Sequence, residues 1–366
     1  MSELLFRFKK KYACLMLTAS LFLAGCFFHS GVNSLLFSDP YYLPKISAAV
    51  KTFRKSDSRY SMNVHLQSGI SQIQLKEIDS ISLDGDKYLM IYEKSGLIKY
   101  GQSDIDSLSF SPISIPNRFK GCPEGTRFIE SIERLPISER EAVIREEILR
   151  GNIPDLLRNM CRIKNYENDS LGRVHTVEID VMYDYLSIGT DIDFVRIPMT
   201  PQTAQSIADA FGCSLPTRKI VNMIFENSRR HIEPVTIFPD GSKNELPSTF
   251  LKHNRDIEAK LSNLRIPRYV LVSGLKKDVV ISNQLLQKTA KVAIYGWHGV
   301  TGIPIQPLYT GHANYYVDYS HGIRLVNSVI RIDGKETTIQ KVLADPLLYK
   351  LISDEPGVMI QPRYIL

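Results

Sequence analysis

Residues 174–225 contain three segments of different periodicity: VHTVEIDVMYDY (174–185), TPQTAQSIADAFG (200–212) and PTRKIVNMIF (216–225). The first is rich in β-branched and aromatic residues, which is typical of a strand. In the second, apolar side chains recur at helical spacing between the start signal Thr200-Pro201 and the stop signal Gly212. The third begins at Pro216 and also carries apolar residues at helical spacing. Two consecutive helices after one strand do not fit a regular βαβ repeat, so the sequence predicts an α+β fold.

Short elements continue on both sides of this region. The capping box from Ser138 to Glu141 and the stop signal Gly151 predict a helix over 139–150. Further helices are predicted at 248–264 and 344–353, and strands at 269–272, 279–281, 292–295, 323–332 and 337–339. Asp333-Gly334 predicts a hairpin turn before the last strand. Residues 115–366 are therefore expected to form a main α+β domain of mixed helices and short strands.

Residues 61–110 differ in character, with short β-prone runs such as YLMIY (88–92). Two related segments, KEIDSIS (76–82) and SDIDSLS (103–109), are each expected to close a hairpin or a strand pair. They resemble segments in exported proteins of Bacteroidetes-type bacteria, which implies an exported location. The sequence therefore predicts a small N-terminal β unit at 61–110, preceded by a tether at 26–60.

The first 25 residues have the pattern of a secretory signal peptide. A basic segment, RFKKK (7–11), precedes the uncharged segment YACLMLTASLFLAG (12–25). That segment is shorter than the roughly 20 apolar residues that span a bilayer. It leads into Leu23-Ala24-Gly25-Cys26, which resembles a bacterial lipobox. The resemblance implies lipidation of Cys26 and an exported, membrane-anchored lipoprotein at the outer membrane, facing the periplasm or the cell surface. An uncleaved anchor or an ordinary signal peptide would export the chain as well.

The composition is that of a globular protein, with 366 residues, 43% of them hydrophobic and 23% charged. These values exclude a wholly disordered chain, collagen and a coiled coil. The net charge is +6, but the N-terminal 25 residues hold half of it, and no basic stripe with interleaved aromatic residues follows. We therefore expect no nucleic-acid partner. Three of the five cysteines lie beyond Cys26, so they can form at most one disulfide.

Three of the eight histidines, His298, His312 and His321, lie within 24 residues. Their segment, YGWHGVTGIPIQPLYTGHANYYVDYSHGIR (295–324), holds the chain's one tryptophan and many glycines and prolines, as a loop-rich functional site does. His312, Asp318 and His321 could supply two nitrogens and an oxygen to zinc, with a fourth position open. If the segment is extended, His312 and Asp318 share a face because their spacing is even.

The same segment also suits chemistry without a metal. Metal-free catalysis could use Ser320 beside His321, or the thiol of Cys213, which precedes a predicted helix and could instead be a small buried residue. Binding without chemistry could use Arg324 for carboxylates and aromatic rings that stack on sugars, namely Trp297, Tyr315, Tyr316 and Tyr319. The histidines could also cap turns in a structural loop.

Two charged segments are further candidates for binding. KKD (276–278) precedes a predicted buried strand, where opposite charges often line a pocket, and a solvated turn is the equal alternative. TRK (217–219) opens a helix whose free amide groups and basic side chains suit an anionic group, with ordinary capping as the alternative.

Most of the main domain resembles a family of exported bacterial proteins with no secure activity. The matching stretches are GNIPDLLR (151–158), DFVRIPMTPQTAQSIADAFGCSLPTRK (193–219), KKDVV (276–280), YGWHGVTGIPIQPLY (295–309) and HANYYVDYSHGIRLV (312–326). The resemblance implies export and does not specify a reaction.

A shorter stretch is similar to the L,D-transpeptidases, which remodel peptidoglycan. SHGIRL (320–325) with Asn327 resembles their SHGC(I/V)R motif, and His298-Gly299 stands where they carry an upstream His-Gly. The nucleophilic cysteine expected between Gly322 and Ile323 is missing, so no thiol can attack from that position. The resemblance therefore implies a peptidoglycan-related scaffold with another chemistry.

Together these patterns predict an envelope lipoprotein whose main domain hydrolyses or remodels a cell-envelope polymer, at a peptidoglycan-like amide bond. The alternative is a non-catalytic lipoprotein that binds a glycan or peptide. The predicted catalytic residues are His298, as proton donor or oxyanion stabiliser, and Asp318, Ser320 and His321. His312, Asp318 and His321 would bind zinc or activate water. The predicted substrate-binding residues are Lys277, Trp297, Tyr319 and Arg324.

Overall fold

The computed structural model describes residues 33–36, 60–66, 69–74, 78–84, 88–93, 96–112, 115–237, 243–268 and 270–366. The chain divides into two compact units, Met1–Ser114 and Ile115–Leu366. The predicted signal peptide, Cys26 and most of the predicted tether lie outside the described residues. No helix in the described part is both long enough and apolar enough to cross a membrane.

The first unit consists of antiparallel strands. They are β1 (Asn33–Leu36), β2 (Tyr60–Leu66), β3 (Gly69–Gln74), β4 (Ile78–Asp84), β5 (Tyr88–Glu93), β6 (Gly96–Gly101) and β7 (Ile105–Pro112). They form one sheet in the order β1-β7-β2-β3 and a second in the order β4-β5-β6. The two IDS segments lie in β4 and β7, and β1 lies within the predicted tether. Apolar side chains that alternate along the strands are buried, among them Met62, Val64, Leu89 and Ile91.

Six helices are described in the second unit. They are α1 (Gly125–Ile132), α2 (Ile137–Leu149), α3 (Pro201–Ala210), α4 (Arg218–Asn227), α5 (Pro247–Asn263) and α6 (Ile339–Ala344). Thr200 caps α3 and Thr217 caps α4, each by accepting a hydrogen bond from a backbone amide in the first turn. The start signals of these two helices therefore act locally, as the sequence suggested.

Short strands complete the second unit. They are β8 (Met160–Asn168), β9 (Val174–Met182), β10 (Ser187–Gly189), β11 (Phe194–Arg196), β12 (Cys213–Ser214), β13 (Arg230–His231), β14 (Val272–Ser273), β15 (Lys277–Val279), β16 (Ile294–His298), β17 (Pro304–Tyr309), β18 (His321–Gly322), β19 (Val326–Ile332) and β20 (Lys335–Thr338). One sheet has the order β12-β19-β9-β8, with β20 paired to β19, and another has the order β17-β16-β15-β18. β10 pairs with β11, and β13 pairs with β14.

A large apolar core joins the helices and sheets of the second unit. It includes side chains from α1 to α4, such as Phe128, Ile144, Ile207 and Ile224, together with residues of β9, β15, β16 and β19. Burial of this apolar surface is the main term that stabilises the unit. The mixture of helices with several small sheets confirms the predicted α+β fold with an N-terminal β unit.

Two local predictions were wrong. Helix α2 begins at Ile137 after an N-cap at Pro136, and the predicted capping-box residue Glu141 accepts hydrogen bonds from the backbone and hydroxyl of Thr200 instead. The last helix was placed too late, because α6 ends at Ala344 and only a short 3₁₀ turn, Tyr349–Leu351, follows within 344–353. Tertiary contacts override the local signal in the first case.

Candidate functional site

Strand β15 lies between β16 and β18, and charged residues stand at its start. Lys277 pairs with Gly296 of β16 and with His321 of β18, whereas Asp278 pairs with Tyr295 and Gly322. Paired residues point to the same face of a sheet, and successive residues point to opposite faces. Lys277 and His321 therefore share one face, and Asp278 lies on the other.

The first face holds a group of side chains that we call the His321 cluster: Lys277, His312, Tyr316, Asp318 and His321. The His312 ring stacks on the Tyr316 ring with 4.4 Å between centroids. Both rings lie near His321, at centroid distances of 6.1 and 5.9 Å. Asp318 and His321 are buried, and the other three residues are half-buried. The cluster thus extends from a buried interior to a partly exposed rim.

Asp318 is held by donors from its own segment. Its Oδ1 accepts hydrogen bonds from the backbone amide and the hydroxyl of Ser320, both at 2.7 Å, and its Oδ2 accepts one from the Tyr316 hydroxyl at 3.1 Å. Burial acts to raise the pKa of Asp318, but His321, the two hydrogen bonds from Ser320 and the Lys277 ammonium outweigh it and lower the pKa. The Ser320 hydroxyl is therefore directed at Asp318.

His321 has an unusual environment for a buried histidine. The residue is 1% exposed, and its Nε2 has no hydrogen-bond partner among the described residues. Burial lowers the pKa of His321 to about 3, and the Asp318 carboxylate opposes part of this effect. Buried polar atoms are nearly always hydrogen-bonded. This ring nitrogen is therefore unusual, and a ligand atom or a water molecule could reach it only if the surrounding side chains moved apart.

The aromatic ring beneath Lys277 belongs to an irregular part of β16. Trp297 has a φ of 51° and Gly296 a φ of 105°, and the pairing of β16 with β17 shifts register between Ile294 and Gly296. A large aromatic residue rarely adopts positive φ, so the local backbone is strained. The Trp297 ring lies under the Lys277 ammonium, 4.8 Å from Nζ to the ring centroid. Burial lowers the pKa of Lys277, and Asp318 opposes the shift.

Lys276 forms a hydrogen bond with the segment that carries Asp318 and His321. Its Nζ donates to the carbonyl of Tyr319 at 2.6 Å and lies 3.3 Å from Nδ1 of His253 on helix α5. Nε2 of His253 donates to the carbonyl of Val235 at 2.8 Å, which leaves Nδ1 as the acceptor. Burial lowers the pKa of Lys276 to about 7 and that of His253 to about 2.

The second face of β15 carries a buried carboxyl group. Oδ2 of Asp278 accepts a hydrogen bond from the Tyr185 hydroxyl at 2.9 Å, and Oδ1 has no partner among the residues described. Burial raises the pKa of Asp278 to about 7. The Arg324 guanidinium lies over the Tyr185 ring at 4.3 Å.

His298 belongs to this second face. Its Nε2 lies 3.1 Å from Oδ1 of Asn222, which also accepts a hydrogen bond from the Tyr295 hydroxyl at 2.8 Å. The ring stacks on Phe225 at 4.8 Å, and burial lowers the pKa of His298 to about 4. His298 contacts Asn222, Phe225 and Tyr295, and no described contact brings it together with His321.

The other predicted binding residues are used mainly within the fold. The two terminal nitrogens of Arg324 donate to the carbonyls of Met182 and Val272, both at 2.8 Å. The Tyr319 hydroxyl donates to the carbonyl of Ile237 at 2.7 Å. Trp297 Nε1 donates to the carbonyl of Leu275 at 3.2 Å, while its ring reaches the His321 cluster through Lys277.

The remaining candidates are not near the cluster in any described contact. Cys213 is buried in β12, and burial raises the pKa of its thiol to about 12, which disfavours the thiolate. Cys122, Cys161 and Cys213 are all free thiols. In the TRK segment, Arg218 pairs with Asp354 and Lys219 pairs with Glu167.

Within the described residues, no group of three or more His, Cys, Asp and Glu side chains is placed to hold a metal ion. Both oxygens of Asp318 accept hydrogen bonds from the protein. Zinc binding by His312, Asp318 and His321 therefore stays a prediction that needs a direct measurement.

Sequence reasoning missed His253 and Tyr185 as parts of this region, and it named Lys276 and Asp278 only within the KKD segment that could line a pocket. The KKD segment was a usable signal, because three consecutive charged residues beside a buried strand are unusual. His253 lies on a helix that was expected to be largely polar, and Tyr185 ends a predicted strand. Their contacts with β15 depend on tertiary packing, which no local pattern indicates.

Comparison with known proteins gives no match. No protein-family model, curated protein or solved structure matches this chain.

Proposed function

We propose that this chain is a hydrolase that cleaves an amide bond in a cell-envelope polymer, with His321 as the acid–base group. The observation that carries the proposal is the buried Nε2 of His321, which has no partner among the described residues and lies in a cluster with an ionised carboxylate and a half-buried ammonium. Groups with strongly shifted pKa values gather at catalytic sites.

The cluster supports hydrolysis by a simple sequence of steps. Neutral His321 takes a proton from a water molecule, whose oxygen bonds to the amide carbonyl carbon. The carbon–nitrogen bond then breaks, and the imidazolium returns the proton to the leaving nitrogen. A pKa of about 3 makes His321 a weak base in the free protein. This value already includes the Asp318 carboxylate, which favours the imidazolium as a carboxylate does beside a catalytic histidine.

Water is a better nucleophile here than Ser320. Among the described residues, the Ser320 hydroxyl donates to Asp318 at 2.7 Å and not to His321, the proposed base. A serine nucleophile needs its hydroxyl hydrogen-bonded to the base, as in serine hydrolases generally. Ser320 thus supports the orientation of Asp318. In a zinc-dependent form of the same proposal, His312, Asp318 and His321 would hold the ion and lower the pKa of the attacking water.

We also propose that the chain acts at the cell envelope through a lipid on Cys26. The support is the basic and apolar pattern of residues 1–25 followed by LAGC. Metabolic labelling with a radioactive fatty acid tests this proposal. Label should enter the wild-type chain and be absent from Cys26→Ser, and equal labelling of both would contradict lipidation at this cysteine.

The enzyme proposal is tested on isolated peptidoglycan with the purified full chain. Release of new amino groups should fall by about 100-fold or more in His321→Gln, since acid–base groups contribute at least that much. His175→Gln is the matched control, because His175 binds Asp333 and Asp169 outside the cluster. Equal rates in the wild type and His321→Gln, or no release by either, would overturn the proposal. Elemental analysis of the same samples, with about one zinc per chain lost in His321→Gln, decides between the two forms.

Aromatic exposure favours a second candidate function, the non-catalytic binding of a glycan or peptide. Tyr309 is 44% exposed and lies 5.0 Å from the His312 ring, and Tyr315 is 65% exposed. Exposed aromatic rings beside a polar cluster suit stacking on a sugar or a peptide side chain. Binding of peptidoglycan fragments without any bond cleavage, abolished in a Tyr309→Ala and Tyr315→Ala double variant, would favour this function over hydrolysis.

A further inference from the structure

We propose that the substrate of the His321 cluster ends in a free carboxylate, which Lys277 binds one residue away from the amide that is cleaved. This proposal rests on the hydrolase function proposed above and makes it more specific. The cluster would then remove the last residue of a peptide.

The first observation is that Lys277 has a half-buried ammonium without a carboxylate partner. Its Nζ lies over the Trp297 ring, and no carboxylate of the described residues lies within ion-pair distance. An ammonium that is partly removed from water favours an anion that can pair with it. A carboxylate from the substrate would complete this arrangement.

The second observation concerns Asp318, the carboxylate with the strongest electrostatic effect on Lys277. Its oxygens already accept three hydrogen bonds, from the Ser320 amide, the Ser320 hydroxyl and the Tyr316 hydroxyl. Asp318 is also buried, whereas Lys277 is half-buried. The donors of Lys277 are therefore left for a ligand.

The third observation is the spacing between Lys277 and His321. They occupy paired positions on adjacent strands, β15 and β18, which lie about 4.8 Å apart. An extended peptide advances about 3.5 Å per residue. Because both side chains lie on one face of the sheet, a carboxylate held by Lys277 brings the last amide of the peptide toward His321.

The reaction is balanced as a hydrolysis. Water adds to the carbonyl carbon of the penultimate residue, and the bond to the nitrogen of the last residue breaks. His321 transfers the proton from water to that nitrogen. The products are a shortened peptide with a new carboxylate and a free amino acid whose own carboxylate stays on Lys277 until release.

Binding of small probes tests the carboxylate site without requiring catalysis. Calorimetry on the full chain compares N-acetylalanine with N-acetylalanine amide and with the α-amide of N-acetylaspartic acid, which carries only a side-chain carboxylate. We expect N-acetylalanine to bind at least about tenfold more tightly than either, since a charged hydrogen bond is typically worth that factor. Equal binding of the alanine amide would overturn the anion site, and equal binding of the side-chain acid would overturn its preference for a chain end.

Variants at Lys277 separate its charge from its packing. Lys277→Met keeps an unbranched chain over Trp297 and should weaken N-acetylalanine binding about tenfold, while Lys277→Arg should retain most of it. Lys335→Met, at an exposed position in the β20 turn, is the control and should bind as the wild type does. If Lys277→Met fails to fold, the acid and amide comparison on the wild type still decides.

The outcomes distinguish this proposal from the hydrolase function. Lys277-dependent binding without cleavage of any peptide would leave the carboxylate site and overturn hydrolysis. Cleavage in the middle of a peptide with an amidated end, at the same rate as one with a free end, would leave hydrolysis and overturn the carboxylate proposal. The absence of N-acetylalanine binding to the wild type would overturn it as well.

Discussion

Three buried histidines make the stability of the main unit depend on pH. Burial lowers the pKa of His253 to about 2, that of His321 to about 3 and that of His298 to about 4. A free histidine titrates near 6.5, so each ring takes up a proton on unfolding below that pH. Their contribution to stability is complete above about pH 6.5 and is lost as the pH falls toward the folded pKa.

Asp278 acts in the opposite direction. Its pKa is raised to about 7, so the folded chain holds a proton there that an unfolded carboxyl releases above about pH 4. Lowering the pH from 7 to 5 therefore favours the folded state at Asp278 and disfavours it at the three histidines. Since each group contributes about 1.4 kcal/mol per pH unit at most, three histidines outweigh one aspartate and the net effect is acid destabilisation.

His298→Gln removes the pH-dependent contribution of one of the three buried histidines. A glutamine amide can still donate to Asn222 but does not titrate. Between pH 6 and 4.5 the unfolding free energy of the variant should fall less steeply than that of the wild type, by about 1 kcal/mol per pH unit. Urea unfolding at several pH values measures both slopes. His175→Gln is the control. Hydrogen bonding to Asp333 raises the pKa of His175, so the contribution of His175 to stability changes mainly above about pH 6.5, outside the range from pH 4.5 to 6. Identical slopes for His298→Gln and the wild type would contradict the assignment.

At the scale of single elements, β18 has only two residues and depends on Gly322. A Cβ at this position would lie 2.5 Å from the Tyr185 ring and 2.8 Å from the Cβ of Lys276. The absence of a side chain therefore lets β18 approach β15 and places His321 beside Lys277.

Gly322→Ala should therefore lower stability and disturb the site together. We expect a loss of about 1–3 kcal/mol in unfolding free energy, which is typical of an added methyl group in a packed core. Lys277-dependent binding of N-acetylalanine should weaken in the folded variant. Gly357→Ala is the matched control, since nothing lies within 4 Å of its Cβ position, and it should stay within about 0.5 kcal/mol of the wild type. An unchanged stability in Gly322→Ala would show that β18 can move away without cost.

Elements with local signals were predictable from the sequence, and the site was predictable only in part. Thr200-Pro201 sets the start of α3 through a cap within its own first turn, and Asp333-Gly334 adopts the positive φ values of a tight hairpin turn. The alternation in IYGWH would place His298 on the same face as Gly296. The strained backbone at Gly296 and Trp297 changes that alternation, and no propensity rule indicates such a bulge.

At the scale of the whole chain, the His321 cluster belongs to one of the two compact units. Its residues, the strands β15, β16 and β18, and the supporting contacts from His253 and Lys276 all lie within Ile115–Leu366. The large apolar core also consists of residues from this unit. A segment with its own core is expected to fold alone.

Residues 115–366 should therefore fold and bind as a separate fragment. We expect a single cooperative unfolding transition and N-acetylalanine affinity within about twofold of that of the full chain, because the fragment retains the core and the Lys277 contacts. Circular dichroism during urea unfolding and calorimetry measure the two properties, with the Lys277→Met fragment as the binding control. A fragment without a cooperative transition would show that the first unit is needed for the fold. A cooperative fragment that has lost the Lys277-dependent affinity would instead show that the first unit contributes to the site.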